Sequence, residues 1–449
     1  MILYSTNKKA PKVNLAEALI QGQAPDKGLY MPETVPTLSP LDFEQLHGQP
    51  YPAIAAHILG KYCRGTFSPD LVRALSDDAY NFDVPLEPVF ENRYVMRLDQ
   101  GPTASFKDFA ARMMARMFGA LHRDSDQQLI ILTATSGDTG SAVANAFYKI
   151  PNVQVLVLFP IEEVSERQRK QMTTLGHNIS TAALNGKFDH CQALVKKAFA
   201  DPTLKHIHLT SANSINIGRL LPQSVYYIYA YSQLAKNNEP VIFSIPSGNF
   251  GNMMGALLAK KMGLPVKKII VATNENDEVP VYFKTHIYKK IEPSRVCISN
   301  AMNVGHPSNL ARVIDLYGGH IDENGTIHSQ PDMEKMKQDI RAIGITDDQT
   351  RKTIREAWNT HRLLLEPHGA VGWAGLEQYC RESPDPHTPK ISVETAHPAK
   401  FPDEIEKLLY FTPQVPKSMD GLDQKEESYQ KLDHDYSLLH EFIIKRYEQ

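Results

Sequence analysis

Only four cysteines occur in 449 residues, Cys63, Cys191, Cys297 and Cys380, and none stands in a C-x-x-C pair. That scarcity excludes a disulfide framework and a thiolate zinc site, and it is expected of a reduced, cytoplasmic protein. The 17 histidines form no H-E-x-x-H or comparable ligand cluster, so no metal is expected. No apolar run approaches the roughly 20 residues of a spanning helix. The stretch Met1-Ile2-Leu3-Tyr4-Ser5-Thr6-Asn7-Lys8-Lys9 lacks the apolar core of a secretion signal. An excess of one charge is missing too. A net charge of -3 leaves no general electrostatic reason to expect nucleic acid or a membrane as partner. The patterns G-x-x-x-x-G-K-[ST] and G-x-G-x-x-G are both absent, which removes the usual nucleotide cradles. There is no internal repeat and no low-complexity tract.

What is present is a chain long enough for two or three domains. Residues 1–95 read as a separate N-terminal unit of short helical patterns, among them Leu41 to Leu46 and Pro52 to Leu59, punctuated by Pro32, Pro36, Pro40, Pro52 and Pro69. From about residue 128 strands and helices alternate. Leu129 to Ala134 is a short apolar run suited to a strand buried on both faces, followed by a helix from Ser141 to Tyr148. A strand over Val153 to Phe159 precedes a helix near Glu163 to Leu175. Asn178 to Leu184 then pairs with the helix Asp189 to Ala200. A second series follows the long helix Arg219 to Leu234, with strands from Pro240 to Ile245 and Lys268 to Thr273 and the helix Met253 to Met262 between them. Such βαβ series imply parallel sheets with right-handed crossovers. The expected fold class is therefore α/β: two open α/β lobes around a cleft, behind a mainly helical N-terminal domain. Residues 96–127 and 217–449 are assigned to a larger lobe and 128–216 to a smaller one. Within 413–449 many charges precede Tyr436 to Tyr447, which reads as a helical surface element.

Lys107 is the most informative single residue. A turn, Gly101-Pro102-Thr103-Ala104-Ser105-Phe106, leads into a helix in which Lys107 shares a face with Ala110, Ala111 and Met114. A lysine so placed is desolvated, which favours the neutral, nucleophilic amine and suits Schiff-base chemistry with a carbonyl or pyridoxal phosphate. The plain alternative is a surface lysine whose stem lies along apolar neighbours.

Two loops add to it. Thr135-Ser136-Gly137-Asp138-Thr139-Gly140 falls where a strand ends and a helix begins, where free amides favour an anion; an ordinary capping turn is the alternative. Ser247-Gly248-Asn249-Phe250-Gly251-Asn252 occupies the same position in the second series. Two such cradles point to two anionic groups on opposite walls of one cleft. Glu366-Pro367-His368-Gly369-Ala370-Val371-Gly372 reads as a loop entering a helix. Thr395, after the alternation Ile391-Ser392-Val393-Glu394, stands at a strand end, where ligands gather in open α/β sheets.

These segments, with Ser211-Ala212-Asn213-Ser214-Ile215-Asn216, Thr395-Ala396-His397-Pro398-Ala399-Lys400-Phe401 and, near the start, Gln21-Gly22 and Gly28-Leu29-Tyr30-Met31-Pro32, resemble the threonine synthases in order and spacing from about residue 1 to 410. The likeness is to the long bacterial and fungal branch with an N-terminal domain. It implies two open twisted lobes of the tryptophan-synthase-β-like type and pyridoxal phosphate as cofactor. It further implies conversion of O-phospho-L-homoserine and water to L-threonine and phosphate, in a monomer or homodimer. By position, Lys107 would carry the cofactor as a Schiff base and move protons. Gly248, Asn249, Phe250, Gly251 and Asn252 would hold its phosphate, and the Thr395 hydroxyl would face its ring nitrogen. Thr135, Ser136, Gly137, Asp138 and Thr139 would lie on the substrate side. Ala104-Ser105 stands where other members often have Leu-Ala, and Asp138 where many wider relatives have asparagine. The rival reading is another lyase of the same fold type, a threonine or serine dehydratase or an amino-acid phospholyase. A scaffold that kept its lysine without turnover is a second.

Overall fold

The computed structural model describes residues 1–122, 127–235 and 238–448. Two sheets organise it. The larger has six strands, in the spatial order Ile340–Gly344, Val266–Thr273, Val241–Pro246, Lys390–Glu394, Arg93–Arg97, Leu86–Phe90. All its pairs are parallel except the last, an antiparallel hairpin at the edge. The smaller has five parallel strands, in the order Gln430–Asp433, Ile179–Asn185, Val153–Pro160, Leu129–Ala134, Leu209–Thr210. Every residue of Leu129–Ala134 and of Val241–Pro246 is buried, because helices cover both faces of a parallel sheet. The two α/β lobes expected from the alternating pattern are present.

Their boundaries differ from those expected. Leu86–Phe90 and most of Arg93–Arg97 fall inside the span assigned to the N-terminal unit, yet they form the hairpin edge of the larger sheet. At the other end, the assignment of all of 217–449 to the larger lobe is corrected by Gln430–Asp433, which extends the smaller sheet alongside Ile179–Asn185. This strand is mostly exposed and carries no apolar run, so periodicity gives it no signal. Tyr436–Tyr447 is helical as expected. It is more than a surface element, since Leu439 and Ile443 are fully buried with Leu194 and Val195 of Phe188–Ala200.

The N-terminal unit has four helices and a three-stranded sheet, and its apolar residues merge into one core with those of both lobes. Its polar contacts reach the interior as well. The carbonyl of Tyr30 accepts from Arg312 Nε at 3.1 Å, and Arg312 Nη1 and Nη2 also hold the carbonyls of Ser214 and Ile215 at 3.0 and 2.6 Å. Asn216 Nδ2 reaches back to the Leu19 carbonyl at 2.9 Å. Residues 211–216 are thus fixed between the N-terminal unit and the lobes, and both loops described next hang on that segment.

Candidate active site

Lys107 is the first residue of the helix Lys107–Leu121, and its neighbours at helical spacing, Ala110, Ala111 and Met114, are buried as the pattern requires. The loop before it is held against the end of Lys390–Glu394 by backbone bonds. Phe106 N donates to the Thr395 carbonyl at 2.9 Å and His397 N to the Ala104 carbonyl at 3.0 Å. Asp108 accepts from Thr103 N and Thr103 Oγ1 at 2.8 and 2.6 Å, which closes the turn. Lys107 and Thr395 are thereby brought together, although 288 positions separate them in sequence (395 minus 107). Thr395 is 5% exposed, and its hydroxyl bonds to no other described residue.

Lys107 Nζ lies 3.6 Å from Asp138 Oδ2. Burial pushes the lysine below its ordinary pKa, Asp138 opposes that fall, and the positive charges of Lys400 and Arg219 add to it. Asp138 is itself buried, which alone would raise its carboxyl. Lys400 and then Lys107 and His368 reverse that and hold it well below the usual carboxylate range. Its other oxygen, Oδ1, accepts from Lys400 Nζ at 2.6 Å and from Gln168 Nε2 at 2.9 Å.

The two loops expected to hold anions share a property that most other helix starts of the chain lack. Helices beginning after Ser39, Ser68, Ser165, Thr346 and Glu366 have side-chain caps. Asp138–Phe147 and Gly251–Lys261 have none, and they start from Gly137 at φ +129° and Phe250 at φ +61°. No backbone N–H from Gly248 to Asn252 donates to another described residue. Side chains instead secure the loop from outside. Asn249 Oδ1 accepts from Ser308 N, Asn249 Nδ2 donates to Ser214 Oγ, and Asn252 Oδ1 accepts from Tyr226 and Tyr227 at 2.5 and 2.6 Å. A row of such amides around a rigid turn has the donors that an anion would need. The 135–140 loop is only partly of this kind. Thr135 Oγ1 accepts from Gly137 N and Gly140 N at 2.9 and 2.8 Å, so the lone pairs of the Thr135 hydroxyl are used within the loop. The N–H groups of Ser136, Asp138 and Thr139 donate to no other described residue.

Gly248 is required by space. A Cβ there would stand 2.7 Å from Met302 Cα and 3.2 Å from the Ala301 carbonyl oxygen, both backbone. The turn that presses on it is held by His368, whose Nε2 accepts from Ala301 N at 3.0 Å while Nδ1 faces Glu366 Oε2 at 2.5 Å. Gly248→Ala is expected to cost about 1–3 kcal/mol of stability through overpacking. It is also expected to weaken anion retention by the loop, both read from thermal unfolding with and without the bound anion.

Four contributors escaped the sequence pattern. Lys400 stands in the stretch after Thr395 and His368 in the loop that enters a helix, neither with a signal of its own, and Gln168 gives none. Arg219 is the fourth. It is 4% exposed, it donates only from Nη1 to the Ala212 carbonyl at 2.7 Å, and its Nε has no partner among the described residues. Burial pushes its pKa down to about 10, offset in part by Asp108. A buried guanidinium with donors to spare beside Lys107 is an anion receptor.

Comparisons with known proteins agree with this geometry. The family model "Pyridoxal-phosphate dependent enzyme" matches residues 89–388, "Threonine synthase N terminus" matches 3–80 and "Threonine synthase, C-terminal" matches 369–443. Threonine synthase of Haemophilus influenzae is 38% identical over 99% of this chain and 100% of its own length. That of Escherichia coli is 37% identical over 93% and 94%. The crystal structure of PLP-bound threonine synthase from Brucella melitensis superposes with a TM-score of 0.91 at 31% identity over the whole of both chains. Threonine deaminase isoform 2 of Solanum lycopersicum, at 18% identity and a TM-score of 0.53 over 86% of this chain and 92% of its own, shares the fold alone. By full-length identity and by all three family models, the chain belongs to the threonine synthase family of pyridoxal-phosphate-dependent lyases.

Proposed function

We propose that the chain makes L-threonine and phosphate from O-phospho-L-homoserine and water, with Lys107 as the cofactor-bearing lysine. The observation that carries this reading is a desolvated amine under the charge of Arg219, held against the end of Lys390–Glu394, the parallel neighbour of the strand Val241–Pro246 after which the unpaired amides of Gly248–Asn252 follow. The residues present fit pyridoxal phosphate. Five consecutive unpaired amides suit its phosphate, the space a Cβ at Gly248 would fill keeps that turn close-packed, and the Thr395 hydroxyl is free to meet a ring nitrogen. When bound, the cofactor supplies an electron sink for carbons next to the substrate amine.

The chain's own groups supply the rest. Lys107 Nζ, whose pKa burial lowers, takes and returns protons at the substrate's α and β carbons. Arg219 holds the substrate phosphate and stabilises it as it leaves the γ carbon, and water adds at the β carbon. The free amides of Ser136, Asp138 and Thr139, with Gly137 giving the turn its shape, hold the substrate carboxylate. A neutral hydroxyl at Thr395 does not keep a ring nitrogen firmly protonated as a carboxylate would, which steers the reaction away from transamination.

Among the described residues no helix is long and apolar enough to cross a membrane. The four cysteines are all free and buried, which supports a reducing cytoplasmic setting. The match of residues 3–80 to the threonine synthase N terminus favours this reading over a dehydratase. The test is direct. The full chain with added pyridoxal phosphate is expected to release phosphate and threonine in equal amounts from phosphohomoserine. Ammonia and 2-oxobutanoate from threonine, without threonine formation from phosphohomoserine, would give the reaction to the rival lyase.

A further inference from the structure

The chain buries a second lysine beside the first. Lys400 is fully buried, and its Nζ donates to Asp138 Oδ1 at 2.6 Å and to the Thr103 carbonyl at 2.9 Å. It therefore joins three segments: the turn that ends at Lys107, the start of Asp138–Phe147, and the loop that follows Thr395. The smaller lobe grips the same place. Arg167 Nη1 donates to the Ala399 carbonyl at 2.5 Å, and Gln171 Nε2 to the Thr103 carbonyl at 3.0 Å. Of the two lysines sharing one carboxylate, Lys400 makes the hydrogen-bonded ion pair, and Lys107 stands off at 3.6 Å.

We propose that Lys400 is a positioning residue that holds Asp138 by one oxygen and prevents Lys107 from closing a full ion pair with it, so that the Lys107 amine stays free for the cofactor. The inference rests on the reading of Lys107 as the cofactor lysine. A lone lysine facing a buried carboxylate keeps its proton and is a poor nucleophile. A second cation on that carboxylate removes the incentive, as a neighbouring cationic group activates amine catalysts in general. The charged groups that face Lys107 are few. Asp138 comes from its helix start, Lys400 from the loop after Thr395, and Arg219 from Ile217–Leu220, while Asp108 lies next to it in the chain and is turned toward Thr103. His368 acts at one remove, on Asp138. Asp138 and the ring of Phe106, 4.9 Å from Nζ, favour the protonated lysine, and Lys400 is first among the cations that oppose it.

The probe is pyridoxal phosphate itself. The rate at which the cofactor-depleted full chain captures it is followed against pH as borohydride-fixed cofactor at Lys107, located by peptide mapping. Lys400→Gln keeps a donor for Thr103 and Asp138 but removes the charge. It is expected to raise the pH midpoint of capture by about one unit, so that capture at pH 7 slows about tenfold. Lys400→Arg is expected to leave the midpoint in place. Slower capture by the same factor at every pH, with no shift of midpoint, would mean a merely structural lysine and overturn the proposal. Should Lys400→Gln not fold, Asp138→Asn is compared with Asp138→Asn/Lys400→Gln. With no carboxylate left for Lys400 to hold, the second change is expected to move the midpoint by well under one unit, and a shift of a full unit would mean that Lys400 acts on Lys107 without Asp138 and overturns the inference. Absence of capture at Lys107 in the unaltered chain would instead refute the role given to Lys107, a distinguishable outcome.

Discussion

Lys107→Ala is expected to lower threonine formation by at least about 10³-fold while leaving the chain folded. The size follows from the two duties proposed for one amine, covalent attachment and proton transfer, of which the second alone is commonly worth about 10²–10⁴. Folding is expected to survive because Asp138 is not orphaned by the change. Its Oδ1 keeps Lys400 and Gln168, and only the looser 3.6 Å contact of Oδ2 is lost. This separation of function from stability is unusual for a buried charged residue, where removing one partner of a pair ordinarily costs several kcal/mol. Absorbance of the added cofactor at roughly 410–430 nm, bleached by borohydride as a lysine Schiff base is, should disappear in the variant. Phosphate and threonine produced at the wild-type rate by a folded Lys107→Ala protein would sink the scheme.

Arg219→Gln carries the second large effect. A guanidinium that has spent only one bond on the protein, to the Ala212 carbonyl, has its remaining donors available to a ligand. Truncating one partner of a buried charged pair costs about 2–5 kcal/mol. At about 1.4 kcal/mol per factor of ten, kcat/KM for phosphohomoserine should fall on the order of 10²–10³-fold. Both kcat and KM are expected to suffer, because the group being held is also the group that leaves. Cofactor capture at Lys107 is the internal control, since the cofactor's phosphate is assigned to the amides of Gly248 to Asn252 instead. A kcat/KM within threefold of wild type would remove Arg219 from the site.

Much of this was legible before any coordinates. Buried parallel strands announce themselves as apolar runs, which is why Leu129–Ala134, Val153–Pro160 and Val241–Pro246 are readable to within a residue or two. Loops that begin helices with glycine, serine and threonine mark where amides are free, and Lys107 stands out by the small apolar face around it. The rest fails for identifiable reasons. Gln430–Asp433 is an edge strand with exposed, charged side chains, and pairing by backbone alone leaves no trace in hydropathy. Arg219 and Lys400 are charged residues in stretches that read as loop or helix start. Their importance comes from burial against segments more than a hundred residues away, which no local period encodes. Thr135 adds a contact that no local pattern encodes: its hydroxyl oxygen accepts from two of that loop's own amides.

The order of strands in the larger sheet bears on how the molecule is made. Lys390–Glu394 is an interior strand, lying between Val241–Pro246 and Arg93–Arg97, yet it is translated after both. Until it emerges, its two flanking strands have no direct partner in each other and the loop carrying Lys107 lacks the strand end it is held against. The smaller sheet waits longer still, for Gln430–Asp433. A ribosome-bound chain therefore presents two unfinished sheets whose unpaired strand edges are liable to join neighbours. Thr395 and Lys400 arrive in the same stretch, so a nascent chain acquires that part of its sheet and its chemistry together. A prematurely terminated product would hold the reactive lysine without the surroundings that direct it.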